Sequence, residues 1–514
     1  METMCVGNKC NSHCGKYTKK NPVFIYMGLK KLIMEGTEED QILEFLKDII
    51  IGSEWENKLF LAGGAVRDEI MGKSIKDLDF VVNGGLNAGI DFSIWLANKL
   101  GIYKGESNPV IFPRFGTSKL SLNGNKSGLL NMDLEFVAPR KEQYTTGSRK
   151  PEVTGGELID DVYRRDLTIN SLLKNVSTGE VMDLSGKGMS DIKGGVIRTT
   201  SDPEIIFKDD PLRMLRAVRF AVKYNFKFAP EVLKNIKKNA EWIKSISHER
   251  ISEELNKILV SQEPAKGIRL LKITGLLQYV IEEFNEAIGM KQNAFHTQDV
   301  FKHSMDVLSK TPPDLKTRLI ALFHDIGKVL TKTVSPEGSV HFYGHEKASE
   351  EMVKSIMTRL KYPNELIDAV ADGVKHHMAL KHGGDDASNL SDKSLRKFVA
   401  AVGENLENIL DVIHADNISH SEHGAMPNQI NIVRNRIENL NNQLNKSNLK
   451  LPINGNDLIK LGMKPGHIFK EILDAVQDAW YENPNITRDD AMEIVNRFRV
   501  RDNINEMKRM MNII

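Results

Sequence analysis

Two aspartates and two glycines within one short stretch carry the clearest chemistry in this sequence, which there reads LFLAGGAVRDEIMGKSIKDLDFVV. The apolar run Leu59–Ala62 predicts a buried strand, Val66–Met71 a short helix and Leu78–Val82 a second strand. Successive strand side chains point to opposite faces, so Asp77 and Asp79 should project side by side. Their mutual repulsion favours a cation between them.

The glycines Gly63 and Gly64 should let the backbone approach a ligand, and the following helix N-terminus offers free N–H groups to phosphate. Paired carboxylate oxygens suit Mg²⁺. Taken alone, the glycine pair is also typical of an ordinary turn, and the aspartate pair of a solvated strand end. Their combination in one strand–helix–strand unit predicts metal-assisted phosphoryl or nucleotidyl transfer.

A third carboxylate is predicted on the strand Asn131–Val137, which places Asp133 and Glu135 on one face. Glu135 is the candidate for binding metal or for accepting the proton of an attacking hydroxyl. The sequence leaves open whether Asp133 takes that part instead. Residues 138–158, rich in Lys, Arg, Gly, Thr and Pro, predict a mobile loop.

Two arginines, Arg164 and Arg165, precede an apolar segment that contains Thr168. Arginine forks match phosphate and ribose oxygens, so the pair is a candidate for nucleotide binding. Asp166 could instead cap the segment that follows.

A helix start is predicted at Asp210, because Pro211 suits the first helical position. Arg213 follows three residues later and shares a face with Asp210. Such a pair could recognise the amino donor and ring-nitrogen acceptor of cytosine and adenine, and would leave uracil and guanine unpaired. Arg216 and Arg219, further along the same predicted helix, are also candidates for nucleotide binding.

The most basic region is 211–250, where ten Lys and Arg residues stand against three acids. This excess predicts either a surface for RNA or an ordinary solvated helix face. The candidate RNA-binding residues are Lys223, Lys237, Lys238 and Arg250. The following segment, His248–Leu259, predicts an amphipathic helix.

A second constellation lies further along the chain, where His324 and Asp325 end an apolar helix. Together with His303 and Asp416 they could bind one divalent transition metal. A second metal or a phosphate could bind His345, His376 and His377.

The composition is that of an ordinary globular protein: 514 residues, 40% hydrophobic, 27% charged, formal net charge +1. Neither a transmembrane run nor a signal-peptide core is recognised. Three cysteines do not indicate a disulfide framework, so we expect a reducing cytoplasm. Cys5, Cys10, His13 and Cys14 could bind Zn²⁺, although their spacing favours a disordered tail.

Together these motifs resemble the class II tRNA nucleotidyltransferases and bacterial poly(A) polymerases. The resemblance rests on GGAVRD with DLD, LEFVAPRK, RRDLTIN (to Asn170), DDPLR and Glu249-Arg250 with Glu253, in that order. It implies that Gly63, Gly64 and Arg67 hold the triphosphate, that Asp77, Asp79 and Glu135 are catalytic, and that Asp210 and Arg213 form the nucleotide template. The C-terminal half resembles the HD extension of some bacterial CCA-adding enzymes.

The implied architecture is α+β, with a small mixed-sheet nucleotidyltransferase head followed by helical domains. The expected bounds are a polar tail 1–22, a head 23–200, a neck 201–265, an HD domain 266–430 and a helical tail 431–514. Two departures from the family pattern are Asp209, where the template usually has Glu, and Leu167, where Phe is usual.

The implied activity is CCA addition to tRNA from CTP and ATP with Mg²⁺. The HD domain would be a phosphohydrolase using Ni²⁺, Mn²⁺ or Co²⁺, or a structural remnant. The expected partners are a tRNA or other RNA 3′ end, with no membrane and no required protein partner. The alternatives are a poly(A) polymerase, C-only or A-only addition, and an RNA-binding HD hydrolase with an inactive head.

Overall fold

The computed structural model describes residues 37–75, 77–105, 107–122, 132–143, 152–292, 298–422, 424–443 and 451–510. The predicted zinc site or disordered tail at Cys5, Cys10, His13 and Cys14 lies outside these residues. The chain divides into two compact units between Trp242 and Ile243. This division falls inside the predicted neck, and the domain bounds given above stay predictions.

The first unit contains a mixed β-sheet. The strands are β1 (Leu59–Ala62), β2 (Asp79–Val82), β3 (Val110–Phe112), β4 (Thr117–Ser121), β5 (Asp133–Val137), β6 (Arg140–Gln143), β7 (Glu152–Gly155), β8 (Leu173–Asn175), β9 (Val181–Met182), β10 (Val196–Ile197) and β11 (Lys227–Phe228). Within the described residues the main sheet has the order β3-β4-β5-β2-β1-β8-β9. Only β2 and β5 run parallel there, so both begin at the same edge.

Aromatic packing fixes which face of the sheet is the main core. Phe80 and Phe136 are register partners on β2 and β5, and their rings stack with centroids 5.3 Å apart. Phe92 packs edge-on against Phe136 at 4.9 Å. Since side chains alternate along a strand, the residues before and after these phenylalanines face the other side. That side carries a smaller cluster, which includes Val162.

Helices cover the sheet and continue beyond it in this unit. They are α1 (Glu38–Ile50), α2 (Gly64–Ile70), α3 (Ala88–Leu100), α4 (Leu158–Tyr163), α5 (Gly188–Gly194), α6 (Pro203–Asp209), α7 (Leu212–Tyr224) and α8 (Pro230–Asn239). The mixed sheet and the helices that follow confirm the predicted α+β class. The prediction of a loop over 138–158 was wrong at β6 and β7, which pair antiparallel, and its residues 144–151 lie outside the described residues. No apolar alternation marks these two strands, since their pairing does not use the main core.

The second unit is largely helical. Its helices are α9 (His248–Leu259), α10 (Pro264–Ile273), α11 (Leu277–Val280), α12 (Phe284–Ala287), α13 (Val300–Ser309), α14 (Leu315–Phe323), α15 (Lys328–Thr331), α16 (His345–Arg359), α17 (Asn364–His376), α18 (Asp392–Val402), α19 (Leu406–Asn417), α20 (Gln429–Gln443), α21 (Gly455–Lys460), α22 (His467–Glu482) and α23 (Arg488–Met510). A short hairpin joins β12 (Thr333–Val334) to β13 (Val340–His341). Among the described residues, none of the helices combines the length and apolar character needed to cross a bilayer.

Helix α14 is the centre of this unit. Its last five residues, Leu319 to Phe323, are fully buried, and the helix packs against α13, α17 and α19. A helix that is apolar on all sides belongs in a core. Its end therefore delivers His324 and Asp325, which follow directly, into the protein interior.

Candidate functional site

The three predicted acidic residues of the head meet at the shared edge of β2 and β5. Asp79 and Glu135 are direct register partners on these parallel strands. Both face away from the Phe80–Phe136 core, because side chains alternate. Asp77 lies two residues before Asp79. The strand register brings Glu135 to the Asp77–Asp79 pair, and this register cannot be read from the sequence alone.

Asp133, the alternative to Glu135, has another partner. Its carboxylate forms an ion pair with Lys119 at 2.8 Å. The hydrogen bond from Lys119 lowers the pKa of Asp133. Burial raises the pKa of Glu135, and the nearby charge of Asp79 raises it further. The geometry therefore favours Glu135 as the third carboxylate.

The electrostatics of this edge fit a divalent cation. Loss of surrounding water raises the pKa of Asp79, Arg165 lowers it, and Asp77 raises it again. Acids that raise one another's pKa are destabilised as anions unless a cation lies among them. Hard carboxylate oxygens are the donors that Mg²⁺ prefers. The residues present thus fit the predicted metal.

Gly63 closes the turn before α2 with a φ of 66°, a left-handed value that favours glycine. A Cβ atom there would lie 3.0 Å from Nη1 of Arg165. This nitrogen also donates to the carbonyl of Asn170 at 3.3 Å. Gly63 therefore lets the arginine approach the turn closely. The observed helix begins at Gly64, two residues before the predicted start.

Arg67 occupies a different position from the one that the sequence analysis gave it. It is 4% exposed, donates to Asp68 at 2.8 Å and to Asn170, and lies 4.7 Å over the ring of Tyr224. The guanidinium is enclosed in this network, and its contact with a triphosphate stays a prediction. The arrangement fits a residue that holds Asn170 and helix α2 in place.

Asp161, a residue that sequence reasoning missed, holds both candidate arginines. Its buried carboxylate accepts from Nε of Arg164 at 2.9 Å and from Nε of Arg165 at 3.0 Å. Burial raises the pKa of Asp161, but Arg165 and Arg164 outweigh that effect and lower it. An acid three and four residues before two arginines, at the end of helix α4, was the available signal.

Asp166 links the next two predicted residues. It accepts from Asn170 Nδ2 at 3.1 Å and from Arg216 Nε at 2.7 Å. It also accepts from the backbone N–H of Leu167, but it does not cap the turn Thr168–Asn170 that follows. Asp166 is buried, so it positions its neighbours from inside the fold.

The predicted template residues lie at the start of α7. Asp210 accepts from the backbone N–H of Leu212 at 3.2 Å, which is the capping contact expected from the sequence. Arg213 donates to the carbonyl of Arg164 at 2.9 Å and to that of Ile206 at 3.3 Å. The template helix is thereby tied to the arginine pair.

The remaining basic candidates have varied surroundings. Arg219 lies 4.1 Å from the Phe220 ring centroid, and Lys223 lies 5.1 Å from that of Tyr224. Lys238 pairs with Glu204 at 2.8 Å. The last two, Lys237 of the first unit and Arg250 of the second, are exposed. Their contact with RNA stays a prediction.

In the second unit, Asp325 stands between two groups of histidines that could each hold a metal ion. Its Oδ2 lies 3.5 Å from Nε2 of His303 and 3.2 Å from Nε2 of His324. Its Oδ1 lies 3.3 Å from Nε2 of His345 and 3.8 Å from Nε2 of His377. The two carboxylate oxygens thus face different groups.

The histidine tautomers prepare these nitrogens for metal binding. Nδ1 of His324, His345 and His377 each lies 2.6–2.9 Å from a backbone carbonyl, which can only accept. Nδ1 must therefore carry the proton, and in the neutral ring Nε2 has a free lone pair. Nε2 of His324 is buried without a hydrogen bond, and those of His345 and His377 face each other at 3.3 Å. Facing lone pairs and an orphaned nitrogen fit a cation.

Burial and the neighbouring His324 and His345 hold the pKa of His377 well below its usual range. Burial raises the pKa of Asp325, but His324 and Lys328 hold it well below the usual range. Burial lowers the pKa of His324, but the neighbouring Asp325 outweighs that effect and raises it, so metal binding would displace a proton from this ring. Neutral imidazole and ionised carboxylate are the protonation states that ligate metals.

Three residues near this cluster were not predicted, and one predicted residue lies elsewhere. Lys328 and Lys381 each contact a cluster carboxylate at 2.7 Å, that of Asp325 and Asp416 respectively. Nδ1 of His420 lies 3.6 Å from Oδ1 of Asp416, and Nε2 of His303 lies 3.0 Å from the same oxygen.

His376 instead pairs with Asp372 at 3.0 Å, because it points the other way from its neighbour His377. Grouping it with His345 and His377 was wrong.

Comparison with known proteins places the chain in a class and then in a family. Residues 59–198 match the family described as the Poly A polymerase head domain, residues 225–288 the "Probable RNA and SrmB- binding site of polymerase A", and residues 294–421 the HD domain. The fold and both sites thus define a nucleotidyltransferase head joined to an HD domain. The Multifunctional CCA protein of Xanthomonas campestris pv. campestris is 31% identical over 336 residues, which cover 62% of this chain and 75% of that protein. The chain belongs to the poly(A) polymerase and tRNA CCA nucleotidyltransferase family.

Other comparisons cover different shares of the molecule. The A-adding tRNA nucleotidyltransferase of Deinococcus radiodurans is 33% identical over 50% of this chain and 60% of its own length. Across four curated relatives at 33–34% identity, the chain spans 42–60% of their length. The crystal structure of the Bacillus stearothermophilus CCA-adding enzyme in complex with CTP shares the fold, with a TM-score of 0.62, 21% identity, and coverage of 91% of this chain and 100% of that one.

Replacing the buried acid in Asp161→Asn should lower the free energy of unfolding of the first unit by about 3 kcal/mol at pH 7, because two arginines lose their charged partner. Asp161 has a lowered pKa in the folded state, so its contribution is present above the unfolded pKa of about 3.9. The deficit should therefore shrink as the pH falls below about 4. Urea unfolding followed by tryptophan fluorescence measures this, in a Trp480→Phe background that limits the signal to the first unit.

The control is Asp91→Asn, at an exposed position on α3, which should change stability by less than about 0.5 kcal/mol. Equal losses in both variants, or a deficit that grows on acidification, would show that Asp161 does not hold the arginines as an ionised carboxylate.

Neighbouring histidines provide a matched test of the metal cluster. The His377→Ala variant should lose one nickel ion per chain, since His377 belongs to one of the two groups around Asp325. The His376→Ala variant should keep the wild-type content, because its side chain pairs with Asp372. Elemental analysis after gel filtration measures the content. If His376→Ala loses as much nickel as His377→Ala, the assignment is wrong.

Proposed function

We propose that the head adds nucleotides to the 3′ end of tRNA, completing CCA from CTP and ATP. The observation that carries this proposal is the register pairing of Asp79 with Glu135 beside Asp77, at an edge that Arg165 also approaches. The names of the relatives support the same reaction. Because the chain spans only part of several relatives, the activity of the whole protein belongs to this proposal.

In this mechanism Asp77, Asp79 and Glu135 would hold Mg²⁺. When bound, the metal would polarise the RNA 3′-hydroxyl and stabilise the departing pyrophosphate. Glu135, the register partner of Asp79, would complete this metal site. The alternative role is to accept the hydroxyl proton as the new ester bond forms. Gly63 leaves room for Arg165 at the turn, and Arg165 with Arg164 would bind phosphate and sugar oxygens.

Base choice would rest with Asp210 and Arg213. A carboxylate can accept from the exocyclic amino group of C or A, while a guanidinium donates to the adjacent ring nitrogen. Uracil and guanine present the reverse order and would leave these groups unpaired, which costs about 1–3 kcal/mol for each buried group. The contact of Arg213 with the Arg164 carbonyl would couple the selected base to the phosphate-binding arginines.

The basic residues Lys223, Lys237, Lys238 and Arg250 would contact the RNA backbone, as charge-based recognition requires. Transfer of A alone is the alternative that a specific finding favours, because the Deinococcus radiodurans relative is named as an A-adding enzyme. The cytoplasm remains the proposed location.

The HD domain would carry a second reaction, metal-dependent hydrolysis of a 2′,3′-cyclic phosphate or a phosphomonoester at an RNA end. His303, His324, Asp325 and Asp416 would hold one transition metal, Ni²⁺, Mn²⁺ or Co²⁺, and His345 and His377 a second with Asp325. When bound, such ions lower the pKa of a water nucleophile. Lys328 and Lys381 supply positive charge beside the cluster, where they would bind the phosphate.

Nucleotide addition is tested with purified protein, Mg²⁺ and tRNA that lacks its 3′ CCA, with each nucleotide offered singly and CTP with ATP together. We expect two additions with CTP alone and a third only when ATP joins. The Asp79→Ala variant should add nothing. A long ladder with ATP alone would assign the protein to the poly(A) polymerases, and a single A on tRNA ending in CC, without C addition, would assign it to the A-adding enzymes.

The second reaction is tested with RNA ending in a 2′,3′-cyclic phosphate and Ni²⁺, Mn²⁺ or Co²⁺. Wild-type protein should open the ring, whereas a His324→Ala/Asp325→Ala variant should lose hydrolysis and keep nucleotide addition, because the substituted residues belong to the HD domain alone. Absence of hydrolysis by the wild type with all three metals would reject this activity.

A further inference from the structure

A cavity of about 570 Å³ opens beside the HD cluster. Its lining includes Asp325 and Asp416 of the cluster, and it also includes Lys381, His341 and Tyr343. The volume falls within the range of about 300–1,000 Å³ that small-molecule sites occupy. The lining therefore offers metal ligands, cations and aromatic rings.

Tyr343 is unusual among these residues because it is an aromatic side chain that is 77% exposed. Its ring stacks on His341 with an interplanar angle of 10° and a centroid distance of 5.2 Å. Its hydroxyl lies 3.3 Å from Nδ1 of His341. With one face on His341 and most of its surface exposed, the ring is held in place with its other face open to solvent.

The chain path couples this ring to the metal cluster. Tyr343 follows strand β13 and precedes Gly344, whose φ of 74° turns the chain into helix α16. The first residue of that helix is the cluster ligand His345. Tyr343 thus lies two residues from a group that would hold metal, on the wall of the same cavity.

Two lysines of the same cavity could bind a phosphate group. Lys328 and Lys381 both line the cavity, and both are held by carboxylates of the cluster. A phosphate placed at these lysines leaves the attached sugar and base within the same cavity. An exposed aromatic face is the surface on which nucleic-acid bases stack without regard to sequence.

We infer that the Tyr343–His341 pair is the base-stacking platform of the HD site, on which the nucleobase attached to a bound phosphate stacks. This rests on the proposed phosphohydrolase function. In the reaction, a water oxygen bonds to phosphorus, one P–O ester bond breaks, and the water proton ends on the freed ribose hydroxyl. Tyr343 binds the base and takes no part in bond breaking.

The test uses the full chain with Asp79→Ala in every variant, so that nucleotide binding to the head metal does not interfere. Adenosine 2′,3′-cyclic phosphate is compared with glycerol 1,2-cyclic phosphate, which has no base, in the presence of Ni²⁺. Stacking on an aromatic ring contributes about 1–3 kcal/mol, or roughly 5- to 150-fold. We expect KM to be lower for the nucleotide by a factor in that range.

Tyr343→Ala should remove this preference by raising KM for the nucleotide while leaving kcat and the glycerol substrate unchanged. Tyr343→Phe should retain it, because the ring remains. Val334→Ala, an exposed change on the same hairpin, should behave like the wild type. Equal kcat/KM for both substrates, or an unchanged preference in Tyr343→Ala, would overturn the inference.

Calorimetric binding of adenosine 3′-phosphate separates this inference from the proposed hydrolysis. Binding that Tyr343→Ala weakens, in a protein that hydrolyses neither substrate, would support the platform and reject the hydrolase. Absence of binding would reject the platform. Comparison of a short RNA with a 2′,3′-cyclic end and the free cyclic nucleotide distinguishes an RNA end from a mononucleotide as the substrate. The one with the higher kcat/KM is the preferred substrate, and Tyr343→Ala should raise its KM.

Discussion

The head depends on one electrostatic constraint, the placement of three acids at the common edge of two parallel strands. The pairing of Asp79 with Glu135 is set by the backbone register, and that register is fixed from the other face by the stacked rings of Phe80 and Phe136. The hydrophobic core thus stabilises an arrangement in which like charges repel. Such an arrangement is costly without a cation, and this cost supports the proposal of a metal site at this edge.

The same principle applies in the second unit with different donors. Backbone carbonyls accept hydrogen bonds from Nδ1 of His324, His345 and His377, so the Nε2 atoms of these histidines face Asp325. Helix α14 delivers His324 and Asp325 to this point because all sides of its last turn are apolar. In both units, packing holds in place polar groups that would otherwise separate.

Local patterns predicted much of this fold and part of the sites. Strand Leu59–Ala62 and helix His248–Leu259 match their predicted bounds, since hydrophobic periodicity alone defines them. The paired strands β6 and β7 were missed because their sequences, RKEQ and EVTG, carry almost no apolar residues. Asp161 and Lys328 pair with residues three or four positions away, so their spacing offered a signal. Whether Asp133 or Glu135 faces Asp79 depends on register, and Lys381 acts through Asp416, which is distant in sequence. Contacts of that kind leave little periodic signal.

The central claim is that Asp77, Asp79 and Glu135 form the metal centre of the head, and Mn²⁺ titration followed by electron paramagnetic resonance tests it most directly. The titration uses a His324→Ala/Asp325→Ala background, so that the HD cluster does not contribute. Glu135→Gln should weaken Mn²⁺ binding at least about tenfold, a loss typical of disturbing a metal site. Asp133→Asn should leave binding unchanged, because that carboxylate pairs with Lys119. Weaker binding in Asp133→Asn with normal binding in Glu135→Gln would contradict the account.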